Sequence, residues 1–174
     1  MGMLQAPPMI LYLVRHAIAE DAAASGRDSD RALTADGKVK MRRAAEGLRA
    51  LDVQLDLLLT SPYRRAVETS EIVAGVLGPV KTGVLSELAA GADISALIAA
   101  LRPYRHLQVI GLVGHQPDLG CLASYVMTGS AQTCPLSLKK GGVACLEITA
   151  ARGPLRGDLL WLATPKQLRV LGGT

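Results

Sequence analysis

Residues 55–77 read LDLLLTSPYRRAVETSEIVAGVL. An apolar run from Leu55 to Thr60 stops at Ser61-Pro62, and the spacing of apolar residues then changes. Ala66, Thr69, Val73, Val76 and Leu77 recur at helical intervals, so they form the inward stripe of an amphipathic helix. Ser61 is the expected N-cap and Pro62 the expected first helical residue, because proline lacks the N–H that the first turn leaves unpaired. Gly78-Pro79 stops the helix. The stretch therefore reads as a short buried strand feeding directly into a helix.

The same unit recurs on both sides. Upstream, Met9 to Val14 is an apolar strand that ends at Arg15-His16. A polar loop, Glu20 to Arg31, follows. Thr34 caps the next helix with Asp36 in its first turn, and Met41, Ala44, Ala45, Leu48 and Leu51 mark its inward face. Downstream, a short strand over Val80 to Leu85 precedes a helix marked by Ile94, Leu97, Ile98 and Leu101, which Pro103 closes. Leu107 to Val113 is a strand ending at Gly114-His115, and Pro117 opens a helix with Leu119, Leu122, Ala123 and Val126 on one face. Val143 to Thr149 and Leu159 to Ala163 read as two further strands around a turn at Gly153-Pro154. Alternating strands and helices predict an α/β fold: one domain over residues 1–174, a three-layer α/β/α sandwich with a mostly parallel central sheet, behind a loose leader at residues 1–8.

Composition narrows the function. At 174 residues and 49% apolar content, the chain can bury a core without disulfides, and the absence of Phe makes that core aliphatic. Cys121, Cys134 and Cys145 are odd in number and show no CxxC spacing, so buried, reduced thiols are expected rather than a disulfide framework or a zinc site. The net charge of +4 is spread without a basic block, so it permits nucleic-acid binding but does not argue for it, and an anionic small substrate fits it equally well; no nucleic-acid partner is expected. No run of residues is apolar enough to cross a bilayer and the start lacks a signal-peptide pattern, so a soluble cytoplasmic protein without a membrane partner is expected.

In parallel sheets, ligands bind at the carboxyl ends of the strands. Three apolar runs here end in phosphate-friendly residues: Arg15-His16, Ser61-Pro62 with Arg64-Arg65, and Gly114-His115. Two arginines in the first turn of a helix stand at its positive end, an unfavourable place unless an anion is bound nearby. Spacing alone does not say which arginine is functional. His106 reads as structural or exposed, the Lys139-Lys140 pair as a solvated turn, and Tyr125 and Trp161 as packing residues.

Taken in order, LYLVRHAIAE, LTADGK, LLLTSPYRRAVETS and GLVGHQPDLG resemble the histidine phosphatase superfamily, also called phosphoglycerate mutase-like, and most closely its short SixA-type phosphohistidine phosphatases. The resemblance runs from about Ile10 to Tyr125. It implies that His16 is a nucleophile and that Arg15, Arg65 and His115 bind the phosphoryl group. Arg65 matches the motif arginine, leaving Arg64 to the surface. Glu87 falls where relatives acting on phosphate esters often carry a proton donor. Many relatives have Gly after the Arg-His pair where this chain has Ala17. The implied activity is a metal-independent phosphatase with no cofactor, acting on a phosphorylated protein or a small phosphorylated metabolite. A mutase of the same fold and a non-catalytic module that binds phosphorylated ligands are the alternatives.

Overall fold

The computed structural model describes residues 8–149 and 153–173; most of the expected leader, residues 1–7, lies outside them. Eleven elements follow in chain order: β1 (Met9–Arg15), α1 (Ala35–Ala50), β2 (Leu57–Thr60), α2 (Arg64–Leu77), β3 (Lys81–Val84), α3 (Ile94–Ala100), β4 (Val109–Gly114), α4 (Asp118–Thr128), β5 (Val143–Ile148), β6 (Gly157–Ala163) and α5 (Pro165–Leu171). The six strands form one sheet in the order β3-β2-β4-β1-β5-β6. The pairings β1–β4, β2–β4 and β2–β3 are parallel, and β5 and β6 are added antiparallel at one side.

The near-continuous apolar strands follow from burial on both faces. Successive residues point to opposite faces. Leu13, Leu59 and Leu112 enter one apolar cluster, with Leu119, Leu122 and Val126 of α4 and Leu97 of α3. Their neighbours Val14, Leu58 and Val113 enter the other, with Met41 and Leu48 of α1, Val73 of α2 and Leu168 of α5. The three-layer architecture is thus written into adjacent pairs of strand residues.

Three details differ from the sequence reading. Helix α2 begins at Arg64 with Tyr63 as its N-cap, two residues later than Ser61-Pro62 implies; Ser61 Oγ accepts the Tyr63 N–H at 3.2 Å and lies 2.8 Å from His115 Nε2. Leu51 caps α1 and is exposed, so it adds nothing to the inward face. Cys134 is exposed, Cys121 half-buried and only Cys145 buried; all three are free thiols.

Register delivers the site. Arg15 lies opposite Gly114 and Thr60 opposite Val113, so β1, β2 and β4 end at one edge. The ladder continues one residue further on each strand: His16 N–H donates to Gly114 C=O at 3.0 Å, and Ser61 N–H to Val113 C=O at 2.9 Å.

Candidate active site

At that edge the interior is polar. Of the eight buried polar or charged residues described, six gather there: His16, Thr60, Ser61, Arg65, Thr69 and His115. His16 is 7% exposed and His115 2%. Their ring centroids are 5.2 Å apart, and the Tyr63 ring meets His115 edge-on at 5.0 Å. The Arg65 guanidinium stacks on Tyr63, with its Cζ 4.9 Å from the ring centre. Three stretches distant in sequence, at His16, at Tyr63 and Arg65, and at His115, are thus brought to one place.

The backbone fixes His16. Its Nδ1 donates to the Ala17 carbonyl at 2.7 Å, which identifies Nδ1 as the protonated nitrogen and leaves the Nε2 lone pair free. Ala17 N–H donates to Thr69 Oγ1 at 3.1 Å, and the Thr69 hydroxyl donates to the Arg65 carbonyl at 2.6 Å. One threonine therefore couples the loop after β1 to the first turn of α2. Ala17 packs in the apolar cluster of the α1 face without a positive φ, so its backbone does not require glycine. Gly37 matters more here: a Cβ at that position would collide with the carbonyl of Ile18, and α1 could not seat against the loop.

The two arginines of α2 diverge. Arg64 is an exposed surface residue, paired with Glu68 at 2.9 Å. Arg65 is 5% exposed, donating from Nη1 to the Asp28 carbonyl at 2.7 Å and from Nη2 to the Asp28 carboxylate at 2.9 Å. Arg15, half-buried, donates from Nη1 to Leu138 C=O at 2.7 Å.

Electrostatics keep both imidazoles neutral. Burial pushes His16 down to about 4, and the positive charges of Arg65, Arg15 and Lys140 add to the shift against the hydrogen bond to Ala17. Burial pushes His115 down to about 3, helped by His16, Arg65 and Arg15 and opposed by Asp28. Among the described residues, five buried side-chain polar atoms lack a hydrogen-bond partner. Three belong to this group: Arg15 Nε, Arg65 Nε and His115 Nδ1. Unpaired buried polar groups are costly, so a cluster of them marks a site built for a ligand.

Glu87 stands apart. It lies half-buried in a 3-10 turn after β3, at the same sheet edge, and accepts a hydrogen bond from Ser86 Oγ at 2.8 Å. No contact joins it to His16, Arg15, Arg65 or His115 among the described residues. Sequence reasoning missed Asp28, Thr69 and Lys140. Lys140 is exposed, but the turn it belongs to grips the backbone at His16: Gly141 N–H is shared between the carbonyls of Arg15 and His16, each at 3.1 Å, and Arg15 N–H donates to Gly142 C=O at 3.1 Å. The Lys-Lys-Gly-Gly run reads like any solvated turn, and the sheet edge it touches cannot be read from it. Among the described residues there is no group of three or more His, Cys, Asp or Glu able to hold a metal ion, and no helix is long and apolar enough to cross a membrane.

Comparison with known proteins agrees with the geometry. A sequence profile of the histidine phosphatase superfamily (branch 1) matches residues 11–93, the span that holds Arg15, His16 and Arg65. An uncharacterized protein of Picosynechococcus is 38% identical over 165 residues, covering 92% of this chain and 99% of that one. The phosphohistidine phosphatase SixA of Escherichia coli is 32% identical over 165 residues, covering 93% and 98%. A structure of the protein histidine phosphatase SixA complexed with tungstate superposes with a TM-score of 0.81 at 27% identity, covering 92% of this chain and 99% of that one. With such likeness over more than nine-tenths of the chain in both sequence and backbone, the chain belongs to the histidine phosphatase superfamily and is SixA-like.

Proposed function

We propose that the protein is a metal-independent phosphatase that hydrolyses protein-borne phosphohistidine, or a small phosphate monoester, through a phosphohistidine intermediate on His16. The observation that carries this reading is the set of three unpartnered buried nitrogens, Arg15 Nε, Arg65 Nε and His115 Nδ1, grouped around a histidine whose Nε2 lone pair is free. Phosphoryl transfer needs in-line positioning and stabilisation of charge on the equatorial oxygens. Two guanidiniums and an imidazole N–H supply that stabilisation without a metal. The tungstate held by the SixA structure is a tetrahedral oxyanion, which further supports a phosphoryl-sized anion here.

In the first step His16 Nε2 attacks phosphorus. The bond from phosphorus to the substrate's imidazole nitrogen breaks, and that imidazole leaves with a proton from solvent. His16 then carries the phosphoryl group on Nε2 while Nδ1–H stays on the Ala17 carbonyl. Water attacks the same phosphorus, the P–N bond to His16 breaks, and inorganic phosphate departs. An imidazole leaves more readily than an alkoxide, so the first step on phosphohistidine needs no strong general acid. For an ester substrate the proton donor would be Glu87, which stands at the same edge of the sheet.

His16→Ala tests the reading. We expect hydrolysis of an aryl phosphate to fall at least ~10³-fold with the thermal melting unchanged. EDTA is expected to leave wild-type activity intact, and an acid-labile phosphoryl label to appear on the wild type alone. An active His16→Ala enzyme would remove the nucleophile from this mechanism. Interconversion of phosphoglycerate isomers would point to a mutase instead.

A further inference from the structure

Ser61 is fully buried at the end of β2, and the role expected of it as helix N-cap belongs to Tyr63. Its Oγ lies 2.8 Å from His115 Nε2 and accepts the Tyr63 N–H at 3.2 Å. A hydroxyl has one proton and two acceptor positions. Two arrangements of the Ser61–His115 hydrogen bond are open, and they differ in what they leave unpaired. If Nε2 carried the proton and donated to Oγ, the serine proton would have no acceptor among the described residues, and the Nδ1 lone pair would also be orphaned. If the serine hydroxyl donates to Nε2, every polar atom of Ser61 is satisfied. One group then remains unpaired, an N–H at Nδ1. Burial makes the first arrangement the costlier by one orphan.

We propose that Ser61 is a positioning residue: its hydroxyl donates to His115 Nε2 and thereby holds the ring in the tautomer that offers Nδ1–H to a phosphoryl oxygen. This rests on the functional reading above and names the residue that gives His115 the correct sign. An Nδ1 lone pair would face an oxyanion with like charge; an Nδ1–H attracts it. Left alone in water, neutral histidine prefers its proton on Nε2, so the wrong tautomer is the default and the serine must reverse it. Burial keeps the ring neutral, so the choice between tautomers is a real one at neutral pH.

The first test needs no variant. Nitrogen NMR of the ¹⁵N-histidine-labelled full chain at pH 7, without substrate, is expected to show His115 protonated on Nδ1 and bare on Nε2. Addition of inorganic phosphate is expected to move the Nδ1–H proton signal downfield. A His115 protonated on Nε2 in the wild type overturns the proposal. The second test compares Ser61→Ala, Ser61→Cys and Ser61→Thr. In the Ala and Cys variants the Nε2–H tautomer is expected to gain population and kcat/KM on an aryl phosphate to fall about tenfold, the loss of one buried hydrogen bond. The Thr variant, which keeps a hydroxyl, is expected to restore the Nδ1–H tautomer and most of the activity. A folded Ser61→Ala that keeps both the tautomer and kcat/KM within twofold of wild type also overturns the proposal. The tautomer is read in resting enzyme, so failure of His16 as nucleophile would leave that result standing and be recognised separately.

Discussion

The two ends of β4 each follow or precede a histidine, and the two rings are treated in opposite ways. Before the strand, His106 is exposed, and its Nδ1 donates to the Pro103 carbonyl at 2.8 Å. Nearby, one carboxylate oxygen of Asp56 accepts both the Gln108 and Val109 N–H groups at 2.9 Å, so the strand start is satisfied. After the strand, His115 is buried beside a second imidazole and a guanidinium, with Nδ1 unpaired. The difference teaches where stability has been given up. One end of the strand satisfies its polar groups; the other buries two neutral imidazoles beside a guanidinium and leaves polar atoms open, an arrangement that favours binding an anion over folding.

The sharpest way to break this comparison is to remove each ring in turn. His115→Ala is expected to lower kcat on an aryl phosphate by ~10²–10³-fold, the usual effect of losing one oxyanion donor. His106→Ala is expected to leave kcat and KM within about twofold, as for most exposed positions away from a site. Equal losses in the two variants, measured by steady-state kinetics, would mean that the two ends of β4 do not differ in function.

A smaller effect is expected one contact further out. Asp28 holds Arg65 through its carbonyl and its carboxylate, and bonds from Arg31 and Arg65 keep that carboxyl below its ordinary range. Asp28→Ala leaves the carbonyl bond and removes the ionic one. We expect kcat/KM to fall about tenfold through loosened positioning of the guanidinium. Asp28→Asn, which keeps an acceptor oxygen, is expected to lose less. A gain in activity would show that the carboxylate competes with the substrate for Arg65, and would reverse its assigned role.

The contrast between the two strand ends also explains how much was legible. The strands and the first four helices are periodic, and the sheet's parallel part follows from their alternation. That His16, Arg65 and His115 meet was foreseeable, since parallel strands carry their C-terminal residues to one edge. Helix α5 was not foreseen, although Thr164-Pro165-Lys166-Gln167 forms a capping box that begins it. Its burial depends on Gly47 of α1, where a Cβ would collide with the Leu168 carbonyl, a long-range condition that no local pattern announces. Nor do single residues reveal partners across long gaps. Asp28 meets Arg65 over 37 positions, and Ser61, which reads locally as a cap, is claimed by His115 over 54.

The smallest effect concerns charge at a distance. Lys140 is solvent-exposed, yet its turn is fastened to the carbonyls of Arg15 and His16, and its charge contributes to holding His16 down at about 4. In the proposed mechanism His16 attacks only when neutral, so the acid limb of kcat/KM would report its protonation in the free enzyme. The sign follows: a cation disfavours imidazolium, so its removal raises the His16 pKa and moves the acid limb to higher pH. Lys140→Gln is therefore expected to shift that limb upward by a fraction of a pH unit while leaving the plateau at pH 7 within about twofold, because exposure screens the charge. Raised salt should shrink the wild-type-to-variant difference. Lys140→Arg, which keeps the charge, should retain the wild-type limb. A downward shift, or one that survives high salt unchanged, would mean that Lys140 acts on His16 through the backbone of the turn and not through its charge.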